Sequence, residues 1–451
     1  MIKLNLKDIA QAVGGKIYNA NENLEIDAVD VSINTREDLR GKIFIPIIGA
    51  NFDGHDFIID AFNGGAILAF SQKIVDTDKP YIFVNSTFEA IGAFAKYYRS
   101  LFDIPVIGIT GSVGKTTTKD LTAAILSAKY NVLKTQGNFN NEIGLPLTVF
   151  KLDKTVEVVV LEMGMNHFGE IHKLADIARP NICIITNIGE AHIENLGSRD
   201  GILKAKSEIF DFADASTKII LNGDNDKLIT LKDKFPQAHF YYLDDRTKNF
   251  TAYDVEVDGL SSTTATIKIN SDIFKVNIGI AGEYMVRNAI VGSMVARFLG
   301  LSNEEIQLGT KSFKPSQNRM DVIKSRGMSI INDVYNSSPL SVKNMLALLE
   351  NQQGRKVAIL GDMFELGEFA EDMHSDVGKY ASEKNIDVLI CIGSLSINTY
   401  NSAEGINKFY FKDKEEFLNN IDILQKGDIV LVKASRGMQF ETIIMAITKE
   451  E

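Results

Sequence analysis

The segment Val106-Ile107-Gly108-Ile109-Thr110-Gly111-Ser112-Val113-Gly114-Lys115-Thr116-Thr117-Thr118 carries the sharpest chemical signal in the chain. An apolar strand, Val106–Thr110, runs into a glycine-rich turn, and a helix over Lys115–Ala128 starts at the lysine. Residues Thr110, Gly111, Ser112, Val113, Gly114, Lys115, Thr116 and Thr117 then form a phosphate cradle. Gly111 and Gly114 let backbone N–H groups crowd around phosphate oxygens. The helix N-terminus adds positive dipole, Lys115 adds a point charge, and the Thr116 hydroxyl can ligate Mg²⁺. The spacing G-x-x-G-K-T is shorter than the common G-x-x-x-x-G-K-[ST]. Such a loop indicates a nucleoside triphosphate without naming a reaction.

A second group of residues follows on neighbouring strands. Glu162 ends the apolar run Val156–Leu161, at the edge of a parallel sheet where ligands sit. A carboxylate there suits Mg²⁺, which takes oxygen ligands. The next strand, Ile182–Thr186, leads to Asn187-Ile188-Gly189-Glu190-Ala191-His192. Alone, His192 reads as a structural hydrogen-bonder over the same edge. Lys206, in Ala205-Lys206-Ser207-Glu208, falls on a helix. An ammonium does not bind Mg²⁺, but a lysine carbamate formed with CO₂ does; a salt-bridging surface lysine has the same sequence signature.

The elements that must position these groups fall into three zones, 1–102, 103–313 and 314–451, as suits a chain of 451 residues. The first mixes short strands and helices, with turns at Asp53-Gly54 and Gly64-Gly65 and a helix over 87–101. The second alternates strands and helices after Ile104-Pro105. It then shows three alternating runs, Ala252–Val257, Thr264–Ile269 and Phe274–Ile280, that predict an antiparallel flap, followed by a helix over 285–299. The third, after Lys314-Pro315, alternates again, with strands Ser329–Asn332, Lys356–Leu360, Val388–Ile392 and Ile429–Val432. The expected fold class is α/β in three domains: a small α/β N-terminal domain, a central P-loop-type parallel-sheet domain binding a mononucleotide, and a C-terminal Rossmann-like α/β domain.

Bulk properties narrow the function. A formal net charge of -11 argues against nucleic acid as a partner. Cys183 and Cys391 sit in apolar runs and read as buried small hydrophobes. The N-terminus lacks a signal-peptide pattern, and no apolar run reaches the roughly 18 residues of a membrane span. The expectation is a cytoplasmic monomer.

The widely spaced motifs together resemble the ATP-dependent muramyl ligases, from about residue 25 to the C-terminus. They are Thr110–Thr117, Gly137-Asn138-Phe139-Asn140-Asn141-Glu142-Ile143-Gly144-Leu145-Pro146, Glu162-Met163-Gly164, Asn187–His192 and Ala205-Lys206. Asp333-Val334-Tyr335-Asn336-Ser337-Ser338-Pro339-Leu340-Ser341, Leu360–Gly367 and Val430–Arg436 are similar to the branch that adds D-alanyl-D-alanine to a UDP-N-acetylmuramoyl tripeptide in peptidoglycan precursor synthesis. The Asp-Asn-Pro-Arg signature of the branch adding the third stem residue is absent.

The resemblance implies ATP and two Mg²⁺ ions, with UDP-N-acetylmuramoyl-tripeptide and D-Ala-D-Ala as substrates. It implies that Thr116 and Glu162 hold one ion, and that His192 and a carbamylated Lys206 hold the other. Lys115, His192, Lys206 and Asn138 would form the catalytic set. Asn288 would contact adenine, Arg319 and Asp333 the phosphates and ribose, and Thr35, Arg36 and His55 the UDP-sugar. Tyr284 and Met285 replace the usual His and Asn of the adenine motif, and Asn34 stands where Asp is common. A tyrosine can still stack on adenine. Three other readings compete: a sister ligase adding one amino acid, a nucleotide-dependent switch, and a dinucleotide enzyme. The last lacks G-x-G-x-x-G spacing at Gly361-Asp362-Met363.

Overall fold

The computed structural model describes residues 2–316 and 318–449. Its central sheet grows from runs of largely apolar residues that are buried at every position. Val106–Thr110, Val158–Glu162 and Ile182–Ile185 are fully buried and pair in parallel, with Val106–Thr110 in the middle. Alternate residues serve opposite faces. Ile107, Ile109, Val160 and Ile184 pack under the helices Lys115–Leu126 and Tyr284–Phe298. Val159, Leu161, Cys183 and Ile185 join the other core. Two-sided burial is what a parallel sheet covered by helices requires. Each such side chain contributes about 1.5–3 kcal/mol.

The full central sheet has nine strands, ordered Asp272–Ile278, Ser262–Ile269, Phe250–Asp258, His239–Leu243, Lys218–Asn222, Ile182–Ile185, Val106–Thr110, Val158–Glu162, Val132–Lys134. The three alternating runs are antiparallel, as expected, but they form no separate flap. Phe250–Asp258 pairs in parallel with His239–Leu243 and so extends the main sheet. The physical reason is one-sided burial: Ala265, Ile267, Phe274, Val276 and Ile278 join the core shared with the helices.

The last zone forms a six-stranded sheet, ordered Asp321–Ser325, Met328–Asn332, Ile429–Lys433, Lys356–Gly361, Val388–Ile392, Asn407–Phe411. All pairs are parallel except the first hairpin. The edge strand Asn407–Phe411 is half-buried and carries too weak a pattern to be read from sequence. The first zone has a five-stranded mixed sheet, and its helix Thr87–Ser100 packs on Gly144–Val149 and Glu170–Ala178. One continuous core therefore runs from Leu4 to Leu231. Among the described residues no helix is long and apolar enough to cross a membrane. Both cysteines are buried and free, and burial raises their thiol pKa values.

Candidate active site

Register sets the floor of the site. Ile109 pairs with Glu162 and Thr110 with Ile185, so three neighbouring strands end at one edge. In the last sheet, Asp333, Glu365 and Arg436 follow the C-terminal ends of Met328–Asn332, Lys356–Gly361 and Ile429–Lys433. These two edges face each other across a cavity of about 900 Å³, lined by Lys115, Thr116, Glu162, His192, Arg319 and Asp333 among others. Parallel sheets bind ligands at such edges.

The phosphate loop needs both glycines. Gly114 has φ 83° and precedes the helix, while Gly111 has φ 150°. A Cβ on Gly111 would fall 2.0 Å from Thr186 Oγ1. The loop is fastened to the next strand's end: Thr186 Oγ1 donates to Val113 O at 2.7 Å, and Val113 N donates to Asn187 Oδ1 at 2.9 Å. Gly189 N donates to Ser112 Oγ at 2.9 Å. Lys115 Nζ folds back onto Gly111 O at 2.7 Å. Burial lowers the Lys115 pKa, Glu162 opposes this, and Arg319 adds to it.

Glu162 is buried and its two oxygens differ. Oε1 accepts from Asn140 Nδ2 at 2.8 Å, whereas Oε2 is buried with no hydrogen-bond partner among the described residues. An anionic oxygen left bare in a phosphate site fits a cation. His192 has a left-handed backbone and its Nδ1 lies 2.7 Å from Glu365 Oε2. Burial lowers the His192 pKa; the contact with His192 lowers that of Glu365.

Lys206 is fully buried beside this cluster and does not line the open cavity. Its Nζ has no hydrogen-bond partner among the described residues, and burial, with Lys115 nearby, pushes its pKa far down. Burial thus favours the uncharged amine, the form that is a nucleophile for CO₂. A surface salt-bridge lysine is therefore excluded.

The remaining expected residues are placed as follows. Asn138 is exposed at the cavity rim; its neighbour Asn140 is the one that touches Glu162. Asn288 lines the cavity but its Oδ1 accepts from Thr118 Oγ1 at 2.9 Å. Tyr284 also lines it, with its hydroxyl buried and unpartnered among the described residues; burial and Asp333 raise its pKa well above the ordinary value. The Arg319 guanidinium stacks on the Tyr335 ring at 3.8 Å. Asp333 pairs with Lys433 at 2.5 Å.

The first-domain residues lie apart from this cavity. Arg36 is exposed in a turn where its N–H donates to Asn34 Oδ1 at 3.0 Å, and Thr35 is half-buried beside it. His55 is buried: Nδ1 contacts Asp53 Oδ1 at 2.6 Å and Nε2 accepts from Gln72 N at 3.0 Å. Both ring nitrogens are thus engaged, one by its own loop and one by the backbone just past the strand Leu68–Ser71, and neither is free for a sugar. Sequence reasoning gave no role to Thr186, Asn187, Asn140, Glu365 or Tyr335. Their position just past strand ends is the signal that could have found the first two.

Similarity to known proteins agrees with this geometry. The Mur ligase middle domain matches residues 109–296, and the Mur ligase, glutamate ligase domain matches 318–436. The UDP-N-acetylmuramoyl-tripeptide--D-alanyl-D-alanine ligase of Bacillus subtilis is 38% identical, covering 98% of each chain. The crystal structure of MurF from Acinetobacter baumannii has a TM-score of 0.92 at 28% identity, covering 100% of both chains. MurF ligase from Thermotoga maritima, solved in complex with ADP, has a TM-score of 0.83 at 28% identity, covering 93% of this chain and 97% of that one. With the phosphate loop, the facing sheet edges and a full-length relative in agreement, this chain belongs to the Mur ligase family of ATP-dependent ligases.

Proposed function

We propose that the chain joins D-alanyl-D-alanine to UDP-N-acetylmuramoyl-tripeptide, with ATP consumed, giving the UDP-linked pentapeptide, ADP and phosphate in peptidoglycan precursor synthesis. The observation that carries this reading is one cavity that gathers Lys115, Glu162 and His192 from the central sheet edge with Arg319 and Asp333 from the last domain. The relatives that cover the full chain bear that activity in their names.

In this reading, residues 1–102 hold the UDP-sugar through Thr35 and Arg36, with His55 shaping the loop beside them. Residues 103–313 hold ATP, and 314–451 close on ATP and the incoming dipeptide. A terminal carboxylate of the tripeptide attacks the γ-phosphorus, and the bond to ADP breaks. The dipeptide amine then attacks the acyl carbon, phosphate leaves, and the amine loses a proton. All reactants at the first step are anions, so positioning and neutralisation dominate the barrier. Lys115, freed from Gly111 O, supplies one charge and Arg319 another. Asn138, at the rim, is assigned to the substrate carboxylate, and Asn288 to adenine. Closing the cavity keeps water from the acyl phosphate.

The residues suit Mg²⁺. Thr116 and the bare oxygen of Glu162 would hold one ion, and His192 with Lys206 the other. Lys206 would serve after its amine forms a bond to CO₂ with loss of a proton. Such ions supply charge neutralisation at the phosphates.

The test is phosphate release and product mass with lysine- and diaminopimelate-type UDP-tripeptides, offering D-Ala-D-Ala or single amino acids. Amide formation only with the dipeptide is expected, and Lys115→Ala abolishes ATP turnover. ATP consumption without a new amide would overturn the reading; amide formation with a single amino acid would replace it by a sister ligase.

A further inference from the structure

A buried carboxylate one helical turn beyond Thr116 has no part in the chemistry above. Asp120 sits on the phosphate-loop helix, 4% exposed. Its Oδ1 accepts from Lys134 Nζ at 2.6 Å and lies 3.3 Å from Lys119 Nζ. Its Oδ2 accepts from Ser316 Oγ, 196 residues away in sequence. Ser316 belongs to the linker between the two large sheets, and Arg319 N donates to Ser316 O at 3.2 Å. The same turn therefore carries the arginine that lines the cavity.

The contacts continue inward. Lys119, also buried, donates from Nζ to Thr135 O at 2.8 Å. Thr135 Oγ1 accepts from Glu162 N at 3.0 Å. A chain of polar contacts thus links Arg319, Ser316, Asp120, Lys119, Thr135 and Glu162. A carboxylate taken out of water is retained only when its oxygens are well used, and here three elements use them.

We propose that Asp120 and Ser316 are positioning residues for the ligase reaction: they fasten the linker turn bearing Arg319 to the phosphate-loop helix and, through Lys119 and Thr135, to the strand end that presents Glu162. The two domains keep one hinge point, and Arg319 is held at a fixed height over the loop. This rests on the reading of Arg319 as a phosphate contact.

The experiment is a double-mutant cycle on the full chain, measured as kcat/KM for ATP, KM for D-Ala-D-Ala and thermal midpoint. Ser316→Ala is expected to lower kcat/KM for ATP about tenfold, the loss of one hydrogen bond to a charged group. KM for the dipeptide stays at its wild-type value, the midpoint falls because Asp120 Oδ2 is left buried without its partner, and Ser316→Thr, which keeps the hydroxyl, restores both rate and midpoint. In an Arg319→Ala background Ser316→Ala adds no further loss, because the interaction it serves is already gone. Wild-type kcat/KM in Ser316→Ala, or losses that multiply in the double variant, overturn the proposal alone. If Arg319→Ala itself retains wild-type kcat/KM, the phosphate role of Arg319 falls and this proposal with it.

Discussion

Glu365 of the last domain places its Oε2 2.7 Å from His192 Nδ1 of the central domain, and both residues have left-handed backbones, φ 64° and 66°. Non-glycine residues in that region cost about 1–3 kcal/mol each and persist where surrounding structure holds them. The surroundings here are explicit. Phe364 N donates to Ser435 Oγ at 2.8 Å, and Ser435 N to Asp362 O at 3.1 Å, so the loop bearing Glu365 is tied to the strand end before Arg436.

The pair gives a pH prediction. The carboxyl of Glu365 is held below its ordinary value, first by His192. A depressed carboxylate adds stability above its unfolded pKa, about 4.3, and loses it as pH falls through the lower folded value. The thermal midpoint of the wild type should therefore fall more steeply than that of Glu365→Gln below about pH 4.3. Parallel curves would show that the contact contributes nothing.

Lys206 predicts a slope of the same sign in a higher pH window, as the removal of a penalty. Burial, with Lys115 nearby, holds its folded pKa well below the unfolded value of about 10.4, so the unfolded chain binds the proton more readily and stability rises as pH approaches that value. Lys206→Met, which removes the amine, should be more stable than the wild type at pH 7, with the gap narrowing toward pH 10. The variant should be nearly inactive, and bicarbonate should raise the midpoint of the wild type only, by mass action. Wild-type rates in Lys206→Met would remove the lysine from the site.

Gly111→Ala tests the loop anchor. The new methyl would meet Thr186 Oγ1 at 2.0 Å and sit at φ 150°. Breaking the Thr186 to Val113 contact should weaken ADP binding at least roughly tenfold, measured by calorimetry, with a stability loss on the order of 1–3 kcal/mol. Unchanged ADP affinity would mean that the loop is not held from Thr186.

Tyr284→Phe removes a hydroxyl that is buried without a partner among the described residues. Burying an unmet donor costs stability, so the variant should match the wild type or exceed it by up to about 1 kcal/mol in denaturant unfolding. A loss larger than about 1 kcal/mol would reveal a bond that the hydroxyl makes in solution.

The phosphate loop was legible because its determinants lie within 13 consecutive residues: an apolar strand, two glycines and a helix that starts at Lys115. Glu162 was legible for the same reason, as a carboxylate ending a run of buried aliphatics. The alternating runs near residues 252 to 280 were read as antiparallel correctly, but their pairing with His239–Leu243 was not, since pairing partners are chosen by burial of one face and not by local pattern.

The sequence by itself determined the local elements, the nucleotide loop and the family to which its motifs point, because short-range sterics and periodicity act between neighbours in the chain. Only the tertiary structure decided that Lys206 is buried with its pKa held far down, that His55 spends its ring nitrogens on Asp53 and on the distant Gln72 backbone, and that Glu365 and Ser316 reach the central domain. Those facts depend on desolvation and on contacts between residues as many as 196 positions apart, and neither quantity exists until the chain has folded.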